Sequence, residues 1–147
     1  MKSSTFKSFS KGMFIAAAIS ITALSIGACT RKTNFQTSSV VPAARGYVTV
    51  KNDNNKNYVI QVHLSNLSEV ERLQPSRQAY VVWMVTDKNI TKNLGQINSS
   101  SGTLSSKLKA SFETVSSVQP TKVFITAEND PTIQYPGTPV VLSTDSF

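Results

Sequence analysis

The amino-acid sequence predicts an all-β fold, an antiparallel β-sandwich of about seven strands. Three observations predict it. Between residues 46 and 142 apolar and polar side chains repeatedly alternate with period two, the mark of half-buried strands. Clusters of Asn, Asp, Ser, Gly and Pro interrupt that alternation roughly every 8–15 residues. Amphipathic helical periodicity is almost absent. A chain of 147 residues with 39% hydrophobic content supports one compact domain besides its N-terminal segment.

The strands follow in order. In 46–51, Val48 and Val50 alternate with Tyr47, Thr49 and Lys51. In 58–64, Tyr58, Ile60, Val62 and Leu64 face one way, and Val59, Gln61 and His63 the other. The Asn- and Asp-rich stretch between them tolerates left-handed backbone and predicts a hairpin loop. Residues 66–73 read as a short helical turn or crossover: Asn66 and Glu69 imitate a capping box, and Pro75 limits its length. The segment 79–86, apolar on both faces, predicts a central strand. Short strands are expected at 94–98, 103–112, 122–127 and 139–142, with Leu104, Leu108, Ala110 and Phe112 inward in the second of these. The loop 128–138, with Pro131, Pro136 and Gly137, is expected outside the ladders.

The first 28 residues read as an address. Lys2, Lys7 and Lys11 precede 19 uncharged residues, 12–30, whose apolar part ends in small side chains. A basic start, an apolar stretch and a small-residue end mark a secretory signal. The stretch closes on Ile26-Gly27-Ala28-Cys29, which resembles the bacterial lipobox. There an aliphatic residue and two small ones fit the peptidase groove, and the Cys thiol takes diacylglycerol and fatty acid such as palmitate. Two plainer readings compete: an uncleaved helix near the lower working length for spanning, or an inert cysteine. The expected division is 1–28 signal peptide, 29–43 lipidated Cys29 with a flexible tether, and 44–147 β-sandwich. The expected place is the cell envelope, periplasm-facing or exterior, on either the outer or the plasma membrane.

Charge and composition exclude several functions. One Cys rules out an internal disulfide or a multi-cysteine metal site, and one His makes a His-based relay improbable. Removing the leader leaves 12 of the 15 basic residues against 8 acidic ones, a net +4, with no basic stripe interleaved with aromatics. No nucleic-acid partner is expected. Membrane lipid, through acylated Cys29, and an envelope protein are the expected partners. No GxSxG, P-loop or GxGxxG motif occurs, no cofactor is expected, and the chain reads as a non-enzyme.

From Ala79 onward an ordered set of short motifs stands out. These are Tyr80-Val81-Val82-Trp83-Met84-Val85, Leu94-Gly95-Gln96, Phe124-Ile125-Thr126-Ala127-Glu128 and Pro139-Val140-Val141-Leu142. Together, over residues 78–142, they resemble the extracytoplasmic C-terminal domain of anti-sigma-K factors, with Tyr80, Trp83, Gly95, Thr126 and Glu128 as the matching positions. The resemblance implies an immunoglobulin-like sandwich outside the cytoplasm. That family also carries a cytoplasmic sigma-binding segment and a spanning helix. Only twelve residues precede the apolar leader here, so direct sigma sequestration is not expected.

Individual candidates read as structural first. Trp83 is expected between the sheets, with Tyr80 pointing the other way. His63 is expected solvated on an outer face. Glu128, Asp130 and Asp145 offer oxygen ligands for a cation without matching a known loop spacing, and Glu69 and Glu71 point to different sides of any helix. The leading functional expectation is a lipoprotein whose sandwich mediates protein–protein contact as a sensory or regulatory accessory. The alternative is a glycan- or small-ligand-binding module, using Tyr47, Tyr135 and the Asn/Ser-rich loops as a rim.

Overall fold

The computed structural model describes residues 30–97, 99–100 and 109–147. Among these are nine strands: β1 (Arg31–Asn34), β2 (Arg45–Asn52), β3 (Tyr58–Ser65), β4 (Ala79–Thr86), β5 (Thr91–Ile97), β6 (Ser99–Ser100), β7 (Lys109–Ser116), β8 (Pro120–Glu128) and β9 (Val140–Ser143). All named pairings are antiparallel, in two sheets ordered β1-β2-β3-β7-β6 and β5-β4-β8-β9. Leaving β1 aside, this is the immunoglobulin-like order, A-B-E-D facing C′-C-F-G. The fold is the β-sandwich that the alternation predicts, with β1 and β6 added to the seven expected strands.

The pairing follows from the sequence pattern. In the β2–β3 hairpin Val48 lies opposite Val62 and Val50 opposite Ile60, so every inward side chain meets an inward partner. β7 continues that register, with Ala110 opposite Leu64 and Phe112 opposite Val62. Its expected start at 103–108 lies outside the described residues. In the second sheet Tyr80, Val82 and Met84 of β4 join Val123, Ile125 and Ala127 of β8 in the main core, together with Val48, Ile60 and Val62.

Asp53 pins the β2–β3 loop. Its carboxylate accepts from the Asn57 side chain at 3.0 Å and from the backbone N–H groups of Asn57 and Asn55 at 2.8 Å each. Those bonds, the Asn57 side chain foremost, hold its pKa below the ordinary carboxylate value.

Three expectations change. Thr30–Ala43 is not a free tether: Arg31–Asn34 forms β1 on the edge of β2, and Phe35, Val41 and Ala44 are buried in the main core. The Ser38 hydroxyl accepts from the N–H groups of Val40 and Val41 and shapes the return towards β2. The polar composition concealed this because an edge strand pairs through backbone groups. Second, the turn in 66–73 is a 3-10 helix at Val70–Arg72, preceded by Glu69 with no side-chain cap. Asn66 takes φ 57°, so it ends β3 and does not cap a helix. Leu67 and Val70 nevertheless bury into the core.

The third concerns Trp83. It does not lie between the sheets. It belongs with Val81 and Phe124 in a separate cluster on the outer face of the second sheet, where Val85 and Ile133 pack against it. β4 is apolar on both faces because it has two cores to fill. Tyr80 does point the other way, into the space between the sheets.

Candidate functional site

Two of the motif positions, Trp83 on β4 and Thr126 on β8, meet at the second cluster. Trp83 stacks on Phe124 with ring centroids 6.2 Å apart and planes 12° apart. Its indole N–H donates to Thr126 Oγ1 at 2.8 Å, which lets the buried polar edges of both residues pair. A bulge between Val82 and Trp83 faces Gly95, whose φ of +128° few side-chain-bearing residues adopt. Asn93 is the hub beside it. Its Oδ1 accepts from Gly95 N–H at 2.8 Å, and its Nδ2 donates to the carbonyls of Pro131 and Ile133 at 2.9 Å each.

The 129–139 loop is thereby drawn across the outer face. Glu128, buried at the end of β8, closes the other side by accepting from Gly137 N–H through Oε1 at 2.8 Å. Tyr80, Trp83, Gly95, Thr126 and Glu128 thus all serve packing. Tyr80 donates its hydroxyl to the Ser68 carbonyl at 2.9 Å and ties the crossover to β4. Burial, and secondarily the charge of Glu71, pushes its pKa up to about 12.

The outer face of the first sheet is different. Asn34, Tyr47, His63 and Ser111 lie abreast on β1, β2, β3 and β7. The Tyr47 and His63 rings are 5.0 Å apart with planes tilted by 36°, and Lys32 Nζ sits 3.9 Å from the centre of the Tyr47 ring. The next row runs Thr49, Gln61 and Glu113. Thr49 donates to Gln61 at 3.2 Å, and Gln61 to Glu113 at 2.5 Å.

Beside the aromatic pair lies a hollow of about 720 Å³, bordered by Asn34, Arg45, Tyr47, His63, Lys109 and Ser111. Gly46 sits under it because a Cβ there would come 2.3 Å from the His63 carbonyl. Two basic side chains, an aromatic pair and several hydroxyl and amide groups suit an acidic or hydroxyl-rich surface. His63 is exposed, as its strand phase predicts.

Other candidates do not assemble. Glu128 serves Gly137, Asp130 is held by Thr132, and Asp145 accepts from Gln36. The Thr132 hydroxyl and N–H lower the Asp130 pKa. Among the described residues no cluster of three or more His, Cys, Asp or Glu side chains could hold a metal. Glu69 pairs with Arg72 at 2.7 Å on the surface. Tyr135, 82% exposed, stands on the loop over the second sheet, whereas Tyr47 lies on the outer face of the first. The two outer faces of a sandwich point apart, so these tyrosines share no rim. Cys29 and the Ile26, Gly27 and Ala28 before it lie outside the described residues.

No protein-family model, no curated protein and no solved structure matches this chain. The strand order and the site geometry therefore stand on their own.

Proposed function

We propose that this protein is a non-enzymatic lipoprotein of the bacterial cell envelope, held outside the cytoplasm by acylated Cys29. Its sandwich serves protein–protein contact in a sensory or regulatory accessory role. The observation that carries the reading is the basic and apolar leader that ends Ile26-Gly27-Ala28-Cys29 on the only cysteine of the chain. Several acyl chains, each buried methylene contributing about 0.8 kcal/mol, hold a protein on a bilayer without a spanning helix. The resemblance of residues 78–142 to anti-sigma-K C-terminal domains supports the regulatory setting.

The test is metabolic labelling with a radioactive fatty acid. The wild type takes up label and sediments with membranes, and Cys29→Ser loses both properties. Label retained by Cys29→Ser would remove the reading. For the contact role, cross-linking in the intact envelope captures a partner, and a Tyr47→Ala/His63→Ala double variant loses it.

One observation favours a glycan-binding role as a second reading. The Tyr47–His63 pair, flanked by Asn34 and Ser111 beside the hollow, offers an aromatic platform with hydrogen-bonding neighbours. Envelope glycans retained by the wild type and released by Tyr47→Ala support it. Equal behaviour of the two proteins on a glycan array excludes it.

A further inference from the structure

The strand directions gather one set of chain ends at a single pole. There β1, β3, β5 and β8 begin and β2, β4 and β7 end. That pole carries Arg31, the 53–57 loop, the 87–90 turn and the 117–119 connection. Cys29 is two residues before Arg31, and two residues span at most about 7 Å. We infer that this pole lies flat against an anionic lipid bilayer, with Ile90 entering the headgroup layer between Lys88 and Lys92. The inference rests on the proposed acylation of Cys29 and adds the orientation of the body and the residues that touch lipid.

Three observations carry it. The first is the short reach. With β1 paired to β2 directly after the leader, no slack chain remains to lift the domain off an acylated Cys29. Headgroup layers are about 5–8 Å thick, comparable to that reach.

The second is charge. Arg31, Lys51, Lys56, Lys88, Lys92 and Lys122 lie at or near this pole against Asp53, Asp87 and Asp145, of which Asp53 is engaged by its own loop and Asp145 by Gln36. At the opposite pole Glu69, Glu71, Glu128 and Asp130 offset the basic residues. Anionic lipid attracts juxtamembrane cations within a Debye length.

The third is Ile90, 51% exposed where the β4–β5 turn closes on Thr86 and flanked in sequence by Lys88 and Lys92. The turn is fixed. Thr86 N–H donates to the Ile90 carbonyl at 3.0 Å, Asn89 N–H to the Thr86 carbonyl at 2.9 Å, and Ile90 N–H to Thr86 Oγ1 at 3.2 Å. A half-exposed apolar side chain between two lysines suits an interface whose charged layer overlies hydrocarbon. The chain after β9 bridges to the chain after β1 at Thr144–Phe35, which puts β1 four strand steps from β5, so Ile90 and Arg31 bracket a face about 19 Å wide.

The experiment reconstitutes the full-length lipidated protein into vesicles of phosphatidylethanolamine and phosphatidylglycerol that carry a headgroup nitroxide. A fluorophore is placed by Ile90→Cys at the inferred contact and by Ser76→Cys, exposed on the crossover between β3 and β4, at the opposite pole. Quenching several-fold stronger at position 90 than at 76 is expected, falling towards the level at 76 when Lys56→Glu and Lys88→Glu are added. Equal quenching at the two positions in protein that co-floats with vesicles overturns the inference and leaves the anchor intact. Protein that carries no acyl group and does not co-float overturns the anchor reading, and the inference falls with it.

Discussion

At the scale of single residues, the structure turns on positions where a side chain or a missing one closes a contact. A Cβ on Gly137 would approach Glu128 Oε2 to 2.6 Å and displace the buried carboxylate from the Gly137 N–H. Gly137→Ala is therefore expected to destabilise by about 1–3 kcal/mol, the cost of leaving a buried polar group unpaired. Urea unfolding checks this, and a change within experimental error would mean that the loop is not held by Glu128. Tyr80 supplies the pH dependence. Its folded pKa of about 12 exceeds the ordinary value of 10.0, so unfolded chains ionise first as pH rises. Its contribution is intact below pH 10 and is lost as pH rises towards 12. Above pH 10 wild-type stability should therefore fall more steeply than that of Tyr80→Phe. At neutral pH the variant loses only the bond to Ser68, about 0.5–1.5 kcal/mol. Parallel slopes in the two proteins would show that the Tyr80 hydroxyl is not buried as described.

At the scale of elements, the second sheet is covered twice, by the first sheet on one side and by the 129–139 loop on the other. Asn93 fastens that loop with two bonds and braces Gly95 with a third. Asn93→Ala should loosen the cover. Emission from Trp83, the only tryptophan, should shift to the red and become accessible to acrylamide, with a loss of about 1–3 kcal/mol. Unchanged emission would mean that the loop holds its place without Asn93.

The same elements show what a sequence discloses. β2, β3 and the described part of β7 were legible because one face meets the core and the other meets water, so period two appears in the residues. β4 was legible as a strand, but its face assignment was not: Val81 and Trp83 are as apolar as Val82 and Met84, and alternation cannot rank two buried faces. β1 carried no signal because Arg31, Lys32, Thr33 and Asn34 dock through their backbones. On the candidate surface, the outward phase of His63 was readable. Its pairing with Tyr47 was not, because cross-strand neighbours depend on register.

At the scale of the whole molecule, the proposed reading joins a leader to a sandwich that begins at Arg31 and to a basic pole beside the proposed attachment at Cys29. No free linker separates them, so an acylated Cys29 would hold the body on the membrane surface and not at a distance from it. The Tyr47–His63 face lies along the side of such a body and stays open to partners. The intact mass of protein extracted from the envelope tests this account most directly. The predicted result is a chain that starts at Cys29 and carries the added mass of diacylglycerol and fatty acid. A chain that retains residues 1–28 with an unmodified thiol would contradict it.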